Sequence, residues 1–370
     1  MKETILKKSE IQQQAIDEAI KYNRSGLELA TGVGKTKVGL EYLEELHKRV
    51  GKKPRTLIVA PKTSIFQSWL DDASKFNLEH LLELATFTTY LSLNKKNPND
   101  YDVVILDEAH STKSSHLAFL SKFQGRVLGL TGTPPRFKNS EKGEMMVTYY
   151  PIRFVYRTDK AIDEEILNDY RIIIHTLALS ETKNVEIKGN GKRFFTSELR
   201  QYNWVTGQID QTSGKKQLFL ILKRINMLKQ FTTKELFVKE LLKRLPKDEK
   251  CILFANTITQ AELLCKNSHH SKKKTEEDLE NFKKGTINVL SCVEQLSEGI
   301  NIPNLRHGII MHTYSGNSPK TAQKLGRLLR LPTSETATIH ILCYRNTVDE
   351  KWARSAVSSL DPDKIKIINH

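Results

Sequence analysis

Four cysteines in 370 residues (Cys251, Cys265, Cys292 and Cys343) form no Cys-x-x-Cys pair and stand in no Cys/His ligand spacing, which excludes a disulfide framework and a zinc site. Long apolar runs are also missing. No window approaches the roughly 18 residues of a membrane span, and the amino-terminal Met1 to Lys8 has no apolar signal core. A soluble protein of a reducing, cytoplasmic interior is expected. Acidic residues are the third shortage: 43 Asp and Glu against 58 Lys and Arg give a formal net charge of +15. That excess favours a polyanionic partner. It is also concentrated, since fifteen Lys or Arg face six Asp or Glu between Lys183 and Asp248.

What is present begins with Ala30-Thr31-Gly32-Val33-Gly34-Lys35-Thr36, a glycine-rich turn closing on Lys-Thr after the apolar run Leu27 to Ala30. Such a turn wraps a phosphate chain with inward backbone N–H groups, the positive end of the following helix and a lysine for the outer phosphates. Thr36 would ligate Mg²⁺. The stretch Asp107-Glu108-Ala109-His110 ends an apolar strand, so Asp107 emerges at a strand's carboxyl end, where ligands of parallel sheets bind. Asp107 would hold the metal from the other side, and Glu108 would orient a water for attack on the γ-phosphate. Together the two stretches describe an ATP site.

From Ile11 to Leu130, amphipathic helices alternate with short apolar strands at Leu27–Ala30, Thr56–Ala60, Ala85–Thr88, Val103–Leu106 and Val127–Leu130, the pattern of a parallel sheet covered on both faces. A second alternating region runs from Lys234 to Glu350. The expected division is 1–160 for a first α/β domain, 161–233 for a basic linker, 234–350 for a second α/β domain, and 351–370 for a tail helix. Within the linker, Val185 to Phe195 reads as a β-hairpin reversing at Gly189-Asn190-Gly191, with Lys188, Lys192 and Arg193 on its arms beside Phe194 and Phe195. In the second domain, Gln323, Arg327 and Arg330 fall on helix spacings of four and three, so one face can present both guanidiniums to a phosphate.

In these stretches and in their order, the chain resembles the superfamily 2 helicases and translocases over nearly its whole length. Motif I resembles Ala30 to Thr36, motif Ia Val59 to Thr63, motif II Asp107 to His110 and motif III Thr131-Gly132-Thr133-Pro134. Motifs IV, V and VI resemble Ile252 to Ala255, Glu298 to Pro303 and Gln323 to Arg330. The resemblance implies two RecA-like parallel-sheet domains in tandem, with ATP and Mg²⁺ as cofactors. It implies Lys35, Glu108, Gln323, Arg327 and Arg330 as catalytic, Gln12 as the adenine-recognising glutamine, and Thr31, Gly32, Val33, Gly34, Thr36, Gly299 and Asn301 as further nucleotide contacts. His110, Thr131 and Thr133 would couple the site to motion. Asn301 departs from the pattern by replacing an aspartate.

The stretch Leu57 to Thr63, followed by Gln67-Ser68-Trp69, looks like the Swi/Snf-type translocases, and Ser297 to Leu305 with Gln323 to Arg330 is closer to phage recombination helicases and restriction-enzyme motors. DNA is therefore the expected partner, gripped by its backbone through Lys62, Thr63, Thr89 and Tyr90, with the hairpin residues Lys188, Lys192 and Arg193 as a wedge at a duplex junction. The alternatives are a DNA-stimulated remodeller that does not separate strands and an RNA helicase. The compact motor suggests a monomer from a phage or mobile element.

Overall fold

The computed structural model describes residues 2–135, 137–189, 192–273, 275–293, 302–313, 331–332, 334–358 and 360–370. Gly299, Asn301, Gln323, Arg327 and Arg330 lie outside the described residues, as do Asn190 and Gly191 of the hairpin turn and the side chains of Lys188 and Lys192. Two units divide the chain between Asp169 and Tyr170.

The first unit is built on six strands: β1 (Arg24–Leu29), β2 (Thr56–Ala60), β3 (Ala85–Thr89), β4 (Val103–Asp107), β5 (Arg126–Thr131) and β6 (Ile152–Tyr156). Their order is β3-β2-β4-β5-β1-β6 and every neighbouring pair is parallel. Strands β2 and β4 are buried at every position. Continuous apolar runs of this kind are what a parallel sheet with both faces covered requires. The registers Asp107↔Leu130 and Glu28↔Thr131 bring the carboxyl ends of β4, β5 and β1 level, so the turns that follow them are neighbours although far apart in sequence. Helix Lys35–Val50 approaches helix Ser64–Phe76 closely: a Cβ on Gly39 would meet the Trp69 ring at 2.5 Å, a contact that glycine alone permits.

The second unit carries β7 (Asp169–Leu177), the hairpin strands β8 (Val185–Gly189) and β9 (Lys192–Thr196), β10 (Lys250–Phe254), β11 (Ser268–His269), β12 (Val289–Cys292), β13 (Leu305–Ile310), β14 (Thr336–Tyr344) and β15 (Ile365–Asn369). Seven of these form a sheet in the order β11-β12-β10-β13-β14-β7-β15. The hairpin is antiparallel, with Lys188 opposite Arg193 and Gly189 opposite Lys192.

Two expectations are corrected. The tail is not a helix throughout: helix Val348–Ala356 stops, and Ile365–Asn369 enters the sheet as β15, parallel to β7 from Ile365↔Ile172 to Asn369↔Thr176. The β-branched run Ile365, Ile367, Ile368 gains backbone pairing there that no local partner could supply. Nor is 161–233 a free linker. Strand β7 belongs to the second sheet, and Tyr202, Val205, Met227 and Leu228 from helices Glu198–Asp210 and Gly214–Gln230 share one core with Leu253, Ile309 and Leu342. Buried Glu198 joins this packing to helix Thr233–Arg244, accepting from Thr232 N at 2.9 Å and from Thr233 N and Oγ1 at 3.1 and 2.8 Å. Lys234, also buried, meets Asp349 at 2.5 Å and donates to Met311 O at 2.7 Å. Among the described residues no helix is long and apolar enough to cross a membrane.

Candidate active site

The loop after β1 owes its shape to Gly32 and Gly34, both left-handed at φ 104° and 99°. At Gly34 the positive φ is what disfavours a side chain; a Cβ there would also press on the Gln12 amide end at 2.8 Å and force it to shift. Helix Lys35–Val50 starts immediately afterwards, which aims its positive end at the loop. Gln12 is 2 % exposed, donates from Nε2 to Val33 O at 2.7 Å and accepts at Oε1 from Lys37 Nζ at 2.9 Å. Of the three consecutive glutamines it is the one turned to the loop: Gln13 is exposed and bonds Asp17, and Gln14 is exposed. Lys8 also reaches the loop, donating to Gly32 O at 2.8 Å.

Opposite the loop, β4 delivers Asp107 and Glu108. Asp107 is buried; Oδ2 accepts from Trp69 Nε1 at 3.0 Å and Oδ1 from Glu108 N at 2.9 Å. Burial, and next the adjacent Glu108 charge, push its carboxyl up to about 6. A buried carboxylate that is this reluctant to ionise is a place where a cation is welcome. Glu108 takes a left-handed backbone, φ 48°, rare for a residue with a Cβ. Its two oxygens lie 3.5 Å from Lys35 Nζ and 3.4 Å from His110 Nδ1.

The third turn, after β5, closes the arrangement. His110 Nδ1 is 3.1 Å from Thr131 Oγ1 and 3.4 Å from Thr133 Oγ1, and Thr133 N donates to Thr131 Oγ1 at 3.1 Å. Burial keeps the His110 imidazole below its ordinary pKa, so it is neutral at physiological pH. The place a Cβ would occupy on Gly132 is 3.3 Å from Thr31 Oγ1 and 3.4 Å from Lys35 Nζ, which shows how closely the first and third turns converge. Lys35, Glu108, His110, Thr131 and Thr133 thus form one connected set from three adjacent strands.

Other anticipated residues are placed differently. Lys62 and Thr63 are exposed after β2, at the start of helix Ser64–Phe76, and Thr89 is half-buried at the end of β3. Tyr90 is not available as a nucleic-acid contact: it is 6 % exposed and its hydroxyl donates to Asp107 O at 3.0 Å. It supports the acid from behind, as Tyr150 does by donating to Ala109 O at 2.8 Å. Trp69, which the sequence offered only as part of a family-like stretch, is the side chain that holds the Asp107 carboxylate. Arg193 is exposed on the hairpin with Nε 3.4 Å from Glu186.

The Type III restriction enzyme, res subunit family matches residues 5–136, and the Helicase conserved C-terminal domain family matches residues 232–332. The first span contains the whole connected set, and the second follows it in the second unit. The two matches, in this order, support a superfamily 2 helicase or translocase core. The chain is 26% identical over 380 residues to the DNA 3'-5' translocase XPB2 of Sulfurisphaera tokodaii, an alignment that covers 93% of this chain and 83% of the relative. In fold it is similar to the ATP-dependent Type ISP restriction-modification enzyme LlaBIII bound to DNA (TM-score 0.62, 16% identity, 97% of this chain), of which it spans 31%. It is likewise similar to S. cerevisiae Dbp5 bound to RNA and ADP BeF3 (TM-score 0.58, 11% identity, 97% of this chain and 89% of that one). Two α/β units in tandem are therefore the RecA-like pair of a helicase core, and the chain is an ATP-using enzyme.

Proposed function

We propose that this chain is an ATP-dependent DNA helicase or translocase. The observation that carries the reading is the set from Lys35 through Glu108 and His110 to Thr131, which supplies phosphate binding, water orientation and a connection onward from one cradle. DNA as the track is supported by the named activity of the Sulfurisphaera relative and by the chain's positive charge.

The cradle suits a magnesium-bound nucleoside triphosphate. The positive φ at Gly34 favours glycine, the helix end is electropositive, and Asp107 with the Thr36 hydroxyl makes an oxygen donor set of the hard kind Mg²⁺ prefers, the remaining ligands being phosphate and water oxygens. The ion supplies charge neutralisation at the outer phosphates. The residues themselves do the rest. Lys35 and Glu108 share an ion pair at 3.5 Å, so a phosphate chain on the loop competes for the same ammonium. Glu108, drawn less to that ammonium and still beside His110, would hold and orient a water. Because His110 Nδ1 lies beside Glu108 and hydrogen-bonds the Thr131 and Thr133 hydroxyls, a change at Glu108 would reach the turn after β5 through that nitrogen. Lys62, Thr63 and Thr89 are assigned to the DNA backbone and Lys188, Lys192 and Arg193 to a duplex junction. Arg327 and Arg330, with Gln323, keep their assignment to the γ-phosphate, and Gly299 and Asn301 theirs to the nucleotide.

ATPase assays with no nucleic acid, single-stranded DNA, forked DNA and RNA test the reading. Stimulation is expected from DNA. Glu108→Gln should retain ATP binding and lose about 10²-fold or more in turnover, the scale of removing one preorganised group from a reaction centre. Equal stimulation by RNA would sink the choice of DNA, and loss of ATP binding in Glu108→Gln would sink the role given to that carboxylate.

A further inference from the structure

The segment between β7 and helix Thr233–Arg244 carries features that the ATP cradle does not use. A cavity of about 640 Å³ opens between the base of the hairpin, helix Glu198–Asp210 and helix Gly214–Gln230. That volume falls within the roughly 300–1,000 Å³ of small-molecule sites. Its wall is mixed, with Val185, Leu222, Met227 and Phe231 beside a set of polar side chains. Carboxamides from Gln201, Asn226 and Gln230 line it together with Phe219, Lys223 and Glu186. Gln201 Oε1 is buried and finds no hydrogen-bond partner among the described residues, an acceptor held ready. Glu186 is placed beside Arg193 at 3.4 Å, which offsets its charge.

The cavity continues into an unusual surface. Phe219 is 65 % exposed and Trp204 58 %, and Lys223, which lines the cavity, stands 5.4 Å over the Trp204 ring. Lys215 and Lys216 are exposed at the start of the same helix. Between residues 183 and 230 there are ten Lys or Arg and three Asp or Glu, and one of those three, Glu198, is buried and bonded to backbone. Open aromatic faces among cations, with amides at hand, match the chemistry of unpaired bases on a phosphate backbone. An apolar protein partner would not call for the charge, and a duplex, whose bases are stacked inside, would not call for the aromatic faces.

We propose that this face binds a single-stranded segment of DNA, stacking bases on Phe219 and Trp204 and admitting one base to the cavity, where carboxamides meet its edge. The inference rests on the DNA-motor reading and assigns it a second contact surface, one carried by the second unit.

The chain has three tryptophans. Trp69 is fully buried and Trp352 half-buried, so Trp204 reports on the face. Titration with oligo(dT) should quench its fluorescence, and Trp204→Phe should abolish the quenching while anisotropy of a labelled strand still shows binding. Phe219→Ala should weaken single-strand binding about tenfold or more and leave duplex affinity, which depends on phosphate contacts, nearly unchanged. Phe219→Tyr should restore it. Absent quenching, or equal losses on duplex and single strand, would overturn the proposal. If wild-type ATPase responds to no DNA, the functional reading fails; if it responds but Phe219→Ala binds single strands as wild type does, only this inference fails.

Discussion

Asp107 in the first unit and Asp349 in the second are both buried, and the protein treats them in opposite ways. Asp107 receives hydrogen bonds from two neutral donors, the Trp69 indole and the Glu108 amide, while the Lys35 ammonium is drawn to Glu108. Burial and the neighbouring acid push it up to about 6. Burial also opposes ionisation of Asp349, but Lys234 at 2.5 Å and His312 at 3.1 Å outweigh it and hold the carboxyl down to about 2. Tyr344 N adds a further bond at 3.0 Å. Asp349 is a completed strut that joins helix Val348–Ala356 to helix Thr233–Arg244. Asp107 is kept short of cationic partners, as befits a group whose cation arrives with the substrate. Burial alone does not mark a functional acid; burial without compensation does.

The hardest test of that contrast is to delete each carboxylate. Asp349→Ala strands the Lys234 ammonium in the core, and losing one partner of a buried pair costs about 3–5 kcal/mol. A large fall in the denaturant midpoint is expected. Asp107→Asn, measured without nucleotide, should be neutral or stabilising at pH 7.5. A loss comparable to that of Asp349→Ala would end the distinction.

A pH series sharpens it. The folded value of Asp107, about 6, lies above the ordinary 3.8, so its contribution to stability is fully present below about pH 4 and is lost as pH rises through 6. For Asp349 the sign reverses: its folded value of about 2 lies below 3.8, and its contribution is present above about pH 4 and is lost as pH falls through 2. Asp107→Asn should therefore flatten the upper window and Asp349→Asn the lower one, each by at most about 3 kcal/mol. Denaturation curves between pH 2 and 8 check both, and an unchanged upper window in Asp107→Asn would contradict the account.

Sequence spacing carried the loop, the Asp-Glu-Ala-His stretch and their strands because these are local patterns: glycines where φ is positive, an acid where an apolar run stops. The connected set from Lys35 to Thr133 was legible to the same degree, since each member sits in a recognisable turn. What escaped depended on long-range meeting. Strand β15 looked like the end of a tail because its partner β7 lies nearly the whole second unit upstream. Helices Glu198–Asp210 and Gly214–Gln230 looked like linker because their polar and basic faces dominate the sequence, while their apolar faces find the second sheet only in the fold. Tyr90 looked like a contact at a strand's end, and it turned inward to Asp107.

Trp69 is the instructive omission, and it gives the smallest predicted effect. Its indole reaches Asp107 because Gly39 lets helix Lys35–Val50 lie against the ring. Trp69→Phe keeps most of that packing and removes one hydrogen bond to a buried acid, worth about 1.5–3 kcal/mol when the acceptor is charged. Part of that loss appears as a still more reluctant carboxylate. If Asp107 holds Mg²⁺, the Mg²⁺ concentration for half-maximal ATPase at fixed ATP should rise by a few-fold or more, with a smaller change in the plateau rate. Tyr90→Phe, which removes a bond to the Asp107 carbonyl and not to the carboxylate, should shift that midpoint less. An unaltered Mg²⁺ midpoint in Trp69→Phe would mean that the indole only fills space, and that the contrast with Asp349 rests on burial and Glu108 alone.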